Sequence, residues 1–464
     1  MQNYCSFRGW GYKGFMILLA FSWSSFFANV GQFILSFSIL VVLHELGHFL
    51  TAKWFGCRVE KFYLFFNPWF SLWKKKIGET EYGIGWVPLG GYVKISGMID
   101  ESMDKEAMKQ PAQPWEFRSK PAWQRLIIMV AGVTINFILA LVLFAIILFV
   151  WGEEKLPVKN LKYGLATDSL ASSVGLRDGD IVTAVNNKPL VYTFDLPKEM
   201  VLNEKAVLTV NRNGADTNIS LPSGFISNLT KSQSLAFVYP RYPAIIEKED
   251  DVKYVSGKLE KGDKIIGVNG KYFQFVHEYI KTKRNFINQN ITLSVLRNNK
   301  DTVQVVVKTN EKSATGLETR DPYEILGSEK INYSFAKSIP AGINFGIDKL
   351  KDYITGIRLL FTSKEHKVSD NLGGVISIGK TFGGTWDWYR FWTMTALFSI
   401  ILAFMNILPI PALDGGHALF TLIEMITGRK PSDKFMEYAQ MVGMVLLLGL
   451  MLYAFGLDIW RLFK

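Results

Sequence analysis

Two histidines and a glutamate stand within one turn of each other in "VVLHELGHFL", Val41 to Leu50. On a helix, residues four apart share a face, so His44 and His48 can present two imidazoles to one metal ion. Zinc accepts such nitrogens at about 2.0–2.1 Å. Glu45 projects beside them and can take a proton from a water that the metal has acidified to a pKa of about 7. A catalytic zinc needs a third protein ligand and one open position. The extended HExxHxxGxxH pattern would put a histidine at position 54, but Trp54 stands there. Glu60 is one alternative, on a strand-like run beyond the apolar stretch. Asp414 in "NILPIPALDGGHALF", Asn406 to Phe420, is the better one, because a carboxylate at the end of an apolar span is costly without a partner. Pro409 and Pro411 break the helix before it, and Gly415 and Gly416 allow close backbone approach. His417 reads as a supporting residue beside Asp414, and Asn136 as a helix-to-helix hydrogen bonder.

These groups must be positioned by elements that otherwise read as membrane. Four long apolar segments stand out: 31–52, Leu126 to Trp151, Phe391 to Ile410 and Met441 to Trp460. Each has roughly the 20 residues that a bilayer-spanning helix needs. Tryptophans mark several ends, at positions 54, 151, 392 and 460, as expected at a membrane interface. Lys53, Arg58, Lys61, Arg118, Lys120 and Arg125 flank the loop between the first two spans, and Arg429, Lys430 and Lys434 lie between the last two. Those loops are expected in the cytosol. Spans one and three then run inward, so HELGH and Asp414 are expected at the same depth, near the cytosolic face.

Composition agrees with a polytopic membrane protein: 49% of the 464 residues are hydrophobic and 14% aromatic. The formal charge of +11 is spread along the chain rather than gathered into a stripe. That argues against nucleic acid and for an anionic bilayer surface as the partner. The two cysteines, Cys5 and Cys57, cannot make a disulfide framework. Residues 1–30 read as an N-terminal extension at or in the membrane.

Between the second and third spans lies a polar region with an internal repeat. "VGLRDGDIVTAVNNKPL" from Val174 and "GKLEKGDKIIGVNGKYF" from Gly257 align Gly179-Asp180 with Gly262-Asp263 and Val185-Asn186 with Val268-Asn269. Alternating strands and Asn-Asn or Asn-Gly turns are expected in both. The copies resemble PDZ domains, which implies peptide capture by strand addition. Further on, Ile343, Ile347, Leu350, Ile354, Ile357 and Phe361 recur at helical spacing, so an amphipathic helix is expected, lying on the membrane surface or on the second repeat.

"HELGH" and "NILPIPALDGGH" together resemble the site-2 protease family of intramembrane zinc metalloproteases, and the tandem repeats resemble its RseP-type bacterial branch. "EYGIGWVPLGGYVKISG", Glu81 to Gly97, and "WQRLIIMVAGVTINF" are similar to that branch too. The likeness covers the chain from about residue 31, with Val133 and Val375 standing where the family usually has proline. It implies that His44, His48 and Asp414 bind Zn2+ and that Glu45 is the general base. It also implies that Asn406 contacts substrate, and that Gly90, Gly91, Tyr92 and Val93 belong to a substrate-binding β-hairpin dipping into the membrane.

The expected fold class is therefore an α-helical polytopic membrane protein of four transmembrane helices, with a membrane-associated β-hairpin and two inserted PDZ-like α+β domains. The expected divisions are 1–30, 31–151, 152–235, 236–312, 313–390 and 391–464. The resemblance implies cleavage of single-pass membrane proteins, such as an anti-sigma factor or signal peptide remnants, in a bacterial inner membrane, with the repeats outside. The alternative is a PDZ-bearing scaffold or chaperone with a vestigial metal site.

Overall fold

The structure, a computed structural model, describes residues 23–98, 111–203, 205–231, 237–249, 252–311, 313–363, 369 and 372–463. It divides into two units. The first comprises residues up to Gly152, then Asn332–Ile354 and Leu372 onward; the second comprises Glu153–Ile331 and Thr355–Asn371.

Among the described residues of the first unit, four helices are long and apolar enough to cross a membrane: Trp23–Trp54, Ala122–Val150, Trp388–Ile407 and Lys434–Arg461. The first begins at Trp23, so residues 23–30 belong to it and not to an extension; 1–22 lie outside the described residues. Small and polar side chains join the spans, as is usual where lipid and leucine are equally apolar. Ser36 Oγ and Thr395 Oγ1 meet at 2.9 Å between spans one and three. Ser399 Oγ donates to the Asn136 carbonyl at 2.7 Å between spans three and two. Gly47 lets spans one and two touch: a Cβ there would fall 2.7 Å from the Ala131 carbonyl oxygen and 2.9 Å from Gly132 Cα.

The third span stops at Ile407 because proline disfavours helical backbone in the residue before it. Leu408, preceding Pro409, takes φ −61° and ψ 143°. The chain then turns through Ala412, at φ 79°, and resumes as the helix Asp414–Thr427. Gly415 and Gly416 fold back on this corner, since a Cβ on either would lie within 2.5 Å of the carbonyl oxygens of Leu408 and Ile410 respectively. Arg125 of the second span fastens the resumed helix through an ion pair to Glu424 at 2.5 Å.

Between the first two spans the chain forms a four-stranded sheet: β1 (Val59–Phe66), β2 (Trp73–Ile77), β3 (Thr80–Ile84) and β4 (Val87–Ile95), in the order β2-β3-β1-β4. The stretch Gly90–Lys94, expected in a β-hairpin, lies in β4. The hairpin is β2–β3, and β4 crosses to pair antiparallel with β1 from Val59↔Ile95 to Phe66↔Val87. The cause is the corner at Gly85, where a side chain would strike the Phe66 carbonyl oxygen at 2.1 Å. β4 is thus an edge strand. It packs on the first span, with the Gly91 Cβ position 2.7 Å from Val41 Cγ1.

The amphipathic helix is present as Phe335–Thr362, and its Phe345 and Leu350 pack on the apolar cluster of the second and third spans. Its buried residues are Ser338, Gly342 and Gly346, a small-residue stripe. A Cβ on Gly342 would lie 2.4 Å from Ala145 N of the second span, and one on Gly346 2.6 Å from Leu141 Cδ2. Close lateral fit of these small residues to a transmembrane helix helps to set its place.

The second unit holds two modules. One has a sheet of Ala215–Ser220, Val207–Arg212, Ile181–Val185 and Lys188–Pro189; the other has five strands, central among them Asn290–Arg297 and Asp301–Lys308. The repeat is visible in side chains. Buried Asp180 receives Arg212 Nε and Nη2, both at 2.8 Å. Buried Asp263 receives Arg297 Nε at 3.1 Å and Nη2 at 2.8 Å. The expected turns form, with Asn186, Asn187, Asn269 and Gly270 all at positive φ. Chain divisions differ from 235/236 and 312/313. Val238–Pro240 pairs with Leu165–Thr167 of the first module, and Leu317–Thr319 with Ile246–Glu249 of the second. Leu326 then returns to the first module's core. His277 of one module meets Asp178 of the other at 3.3 Å.

Candidate active site

The first span and the Asp414 corner bring three Lewis-basic atoms together. His44 Nε2 lies 3.1 Å from Asp414 Oδ2, His48 Nε2 3.3 Å from the same oxygen, and the two Nε2 atoms 3.2 Å apart. Though within ion-pair distance of both rings, Asp414 Oδ2 is shielded from solvent and has no hydrogen bond of acceptable geometry. The three atoms lie close enough together to share one metal ion. Tetrahedral zinc with bonds of 2.0–2.1 Å has ligand-to-ligand edges of about 3.3 Å, which is the spacing found. Two carboxylates, Glu45 and Asp414, sit with two imidazoles in a largely apolar setting, and a divalent cation offsets their charge. The residues fit a zinc ion.

The rings are held from behind. His48 Nδ1 lies 2.8 Å from the Ile128 carbonyl oxygen, which can only accept, so Nδ1 carries the proton and Nε2 faces inward with its lone pair. His44 Nδ1 lies 3.4 Å from the Asn136 side-chain amide. The Asn136 Oδ1, placed on the other branch, is buried without a partner. Amide oxygen and nitrogen are assigned from the hydrogen-bond network. Exchanging them gives Oδ1 the Nδ1 proton of His44 and frees that ring's Nε2 lone pair as well. Asn136 therefore does more than join helices. The signal in the sequence was its place, a lone amide deep in the most apolar span.

Gly132 completes the fit between spans one and two. A Cβ there would lie 2.4 Å from His48 Nε2 and 2.8 Å from His44 Cε1. Glu45 stands beside the triangle and lines the same cavity as Val93 of β4.

The cluster opens into a cavity of about 540 Å³. β4 forms one wall, with Gly91, Tyr92 and Val93, and the Ala412–Asp414 corner forms another. His417 lines the cavity but contributes no atom to the triangle. Glu60 is engaged elsewhere, with Lys94 at 3.2 Å and Ser96 Oγ at 2.9 Å. Gly90 and Asn406 are not among the lining residues; Asn406 is half-buried on the last turn of the third span. Trp54 is 78% exposed at the end of its span. His366 lies outside the described residues. Gln440 of the last span lines the cavity and was missed, because that span was expected to begin at Met441, whereas its helix begins at Asp433.

Comparison with known proteins agrees with this geometry. The chain is 27% identical over 449 residues to a "Putative zinc metalloprotease" of Treponema pallidum (strain Nichols), covering 92% of this chain and 97% of that one. It is 27% identical over 468 residues to "Regulator of sigma-E protease RseP" of Escherichia coli (strain K12), covering 94% of this chain and all of the other. A protein of Xylella fastidiosa (strain 9a5c) with the same description as the first matches at 27% over 470 residues, 94% of this chain and 99% of its own. The model of peptidase family M50 matches residues 32–450, a stretch that holds HELGH, Asn136 and Asp414 alike. The chain thus belongs to peptidase family M50, the site-2 protease family of zinc metalloproteases that its motifs resemble.

Proposed function

We propose that this zinc metalloprotease hydrolyses peptide bonds within transmembrane segments of single-pass membrane proteins. The observation that carries the reading is the triangle of His44, His48 and Asp414 beside Glu45, opening on an edge strand within a bundle of membrane-type helices. Residues His44, His48 and Asp414 would hold the ion, with the Ile128 carbonyl and the Asn136 amide orienting the rings. A bound zinc ion supplies Lewis acidity, which makes water nucleophilic near neutral pH.

The chain's own groups do the rest. A helical substrate hides its amide bonds, so it must be extended to be cut. β4 is an edge strand of its sheet, and strand addition to such an edge holds a segment straight. Glu45 receives the proton of the attacking water and returns it to the departing amine nitrogen. Glu45 lines the cavity together with Gly91 and Val93 of the strand that would bind substrate. Asn406, carried over by resemblance, would contact substrate near the scissile bond once it turns toward the cavity.

The lysines and arginines around the first and last loops support a site near the cytosolic face and modules outside. The two modules read as PDZ-like domains that exclude a bulky ectodomain until another protease trims it. Release of a cytosolic fragment, such as that of an anti-sigma factor, or clearance of signal peptide remnants follows from that arrangement. The intact ligand set speaks against a vestigial scaffold.

The test is cleavage of a tagged single-span substrate in membranes. Glu45→Gln should retain zinc and lose cleavage, and a chelator should silence the native chain. Persistent cleavage by Glu45→Gln would refute the mechanism.

A further inference from the structure

The last span contributes one polar side chain to the cavity that the mechanism above leaves unused. Gln440 is 6% exposed, and its Oε1 is shielded from solvent with no hydrogen-bond partner among the described residues. Buried polar atoms without partners are rare and mark places that a ligand or water completes. Gln440 lines the same cavity as His44, Glu45, Asp414 and β4. Its position there is fixed by Gly443, three residues on along the same helical side. A Cβ on Gly443 would lie 1.8 Å from the Pro411 carbonyl oxygen, so the span touches the backbone just before Asp414.

An extended peptide presents its N–H and C=O groups to two opposite edges. If one edge pairs with β4, the other faces the remaining walls. In an apolar site each group left unmatched there costs binding. A primary amide carries one acceptor oxygen and two donor hydrogens, and so complements the N–H and C=O that one substrate residue turns to that side. Rotation about its terminal bond decides which atom faces the cavity.

Resting on the proposed cleavage of extended segments, we infer that Gln440 is a substrate-binding residue that hydrogen-bonds the backbone edge facing away from β4. It recognises the extended main chain and not a side chain. The site therefore selects for segments that unwind, with little dependence on which residues flank the cut.

The test uses the full-length, zinc-loaded chain and a set of substrates in which single backbone amides near the scissile bond are replaced by esters, each removing one N–H. The native chain should lose roughly 5- to 100-fold in kcat/KM at an ester on the edge facing away from β4. Gln440→Met should show a similar loss on the all-amide substrate, with no further loss at that ester. It should keep its sensitivity at the β4-facing positions, and zinc content should match the native chain. Gln440→Leu, which also removes the acceptor, serves if the methionine variant does not fold. Native-like cleavage by the variant, or unchanged sensitivity to every ester, overturns the inference. The same substrates are also titrated by binding in the Glu45→Gln background, with and without Gln440→Met. A Gln440-dependent ester signature in binding without zinc-dependent cleavage overturns the proposed reaction and keeps this contact. Zinc-dependent cleavage without that signature overturns the contact alone.

Discussion

Replacing Gly132 by alanine adds one methyl group to the second span. That methyl would lie 2.4 Å from His48 Nε2, 2.8 Å from His44 Cε1 and 2.9 Å from His44 Nδ1. Ordinary contact begins at 3.4 Å, so the rings must retreat by about 1 Å. Metal–ligand distances tolerate about 0.2 Å. The rings cannot swing away freely, because Ile128 and Asn136 hold their far nitrogens. In a helix interior the same change otherwise favours folding by about 0.5–1 kcal/mol. Helix propensity and site geometry thus pull in opposite directions, and the expected variant is well folded and metal-poor. Displacement on this scale costs on the order of 100-fold, and we expect at least that loss in zinc affinity and in cleavage at limiting zinc. Zinc content after purification, a competition titration with a chromophoric chelator, and circular dichroism give the three readings. Gly449→Ala in the last span is the control, since a Cβ there meets nothing within 4 Å. A folded Gly132→Ala protein with native zinc affinity and native cleavage would refute the ligand assignment.

Asn136→Leu should weaken zinc binding about 10- to 100-fold without loss of helix, as removal of groups behind metal ligands does. Asn136→Asp, which still accepts from His44 Nδ1, should retain most of the affinity; equal damage from both variants would overturn the amide orientation given above. Outside the membrane-type helices, burial pulls the Asp178 carboxyl up, but hydrogen bonds from Thr167 and the neighbouring His277 hold it below its ordinary value of 3.8. A carboxyl lowered in the folded state stabilises it fully above about pH 4, and that contribution fades as pH falls through the lowered value. Asp178→Asn should therefore lower Tm at neutral pH and flatten the acid side of the Tm-against-pH curve. Parallel curves for the two proteins would show that the bond contributes nothing.

The candidate ligands were legible because ionisable groups are rare in apolar helices, so each one found there carries information. His44, Glu45, His48 and Asp414 announced themselves in that way, and Pro409 announced the end of the third span. Asn136 gave a weaker signal: a buried amide can join helices or orient a ring, and only the distance to His44 separates the two. The pairing of β4 with β1 was not legible, because it depends on a corner at Gly85 and on partners some 30 residues apart. Helical periodicity located Phe335–Thr362 through its large apolar residues, but carried no sign of the burial of Ser338, Gly342 and Gly346. Module limits were blurred for a related reason, since Val238–Pro240 and Leu326 return to a module whose repeat motif ended long before.

The ligands are also separated in time. His44 and His48 leave the ribosome early, whereas Asp414 follows His48 by 366 residues, from position 48 to 414. At about 5–20 residues per second, roughly 20–70 s pass between the two events. During that interval the first span stands in the bilayer with a base and two ligands, but without the carboxylate that closes the triangle. The spans that insert meanwhile are themselves apolar helices of the type this site would attack. A hydrolytic centre assembled from residues so far apart in the chain would stay silent until Asp414 has been made.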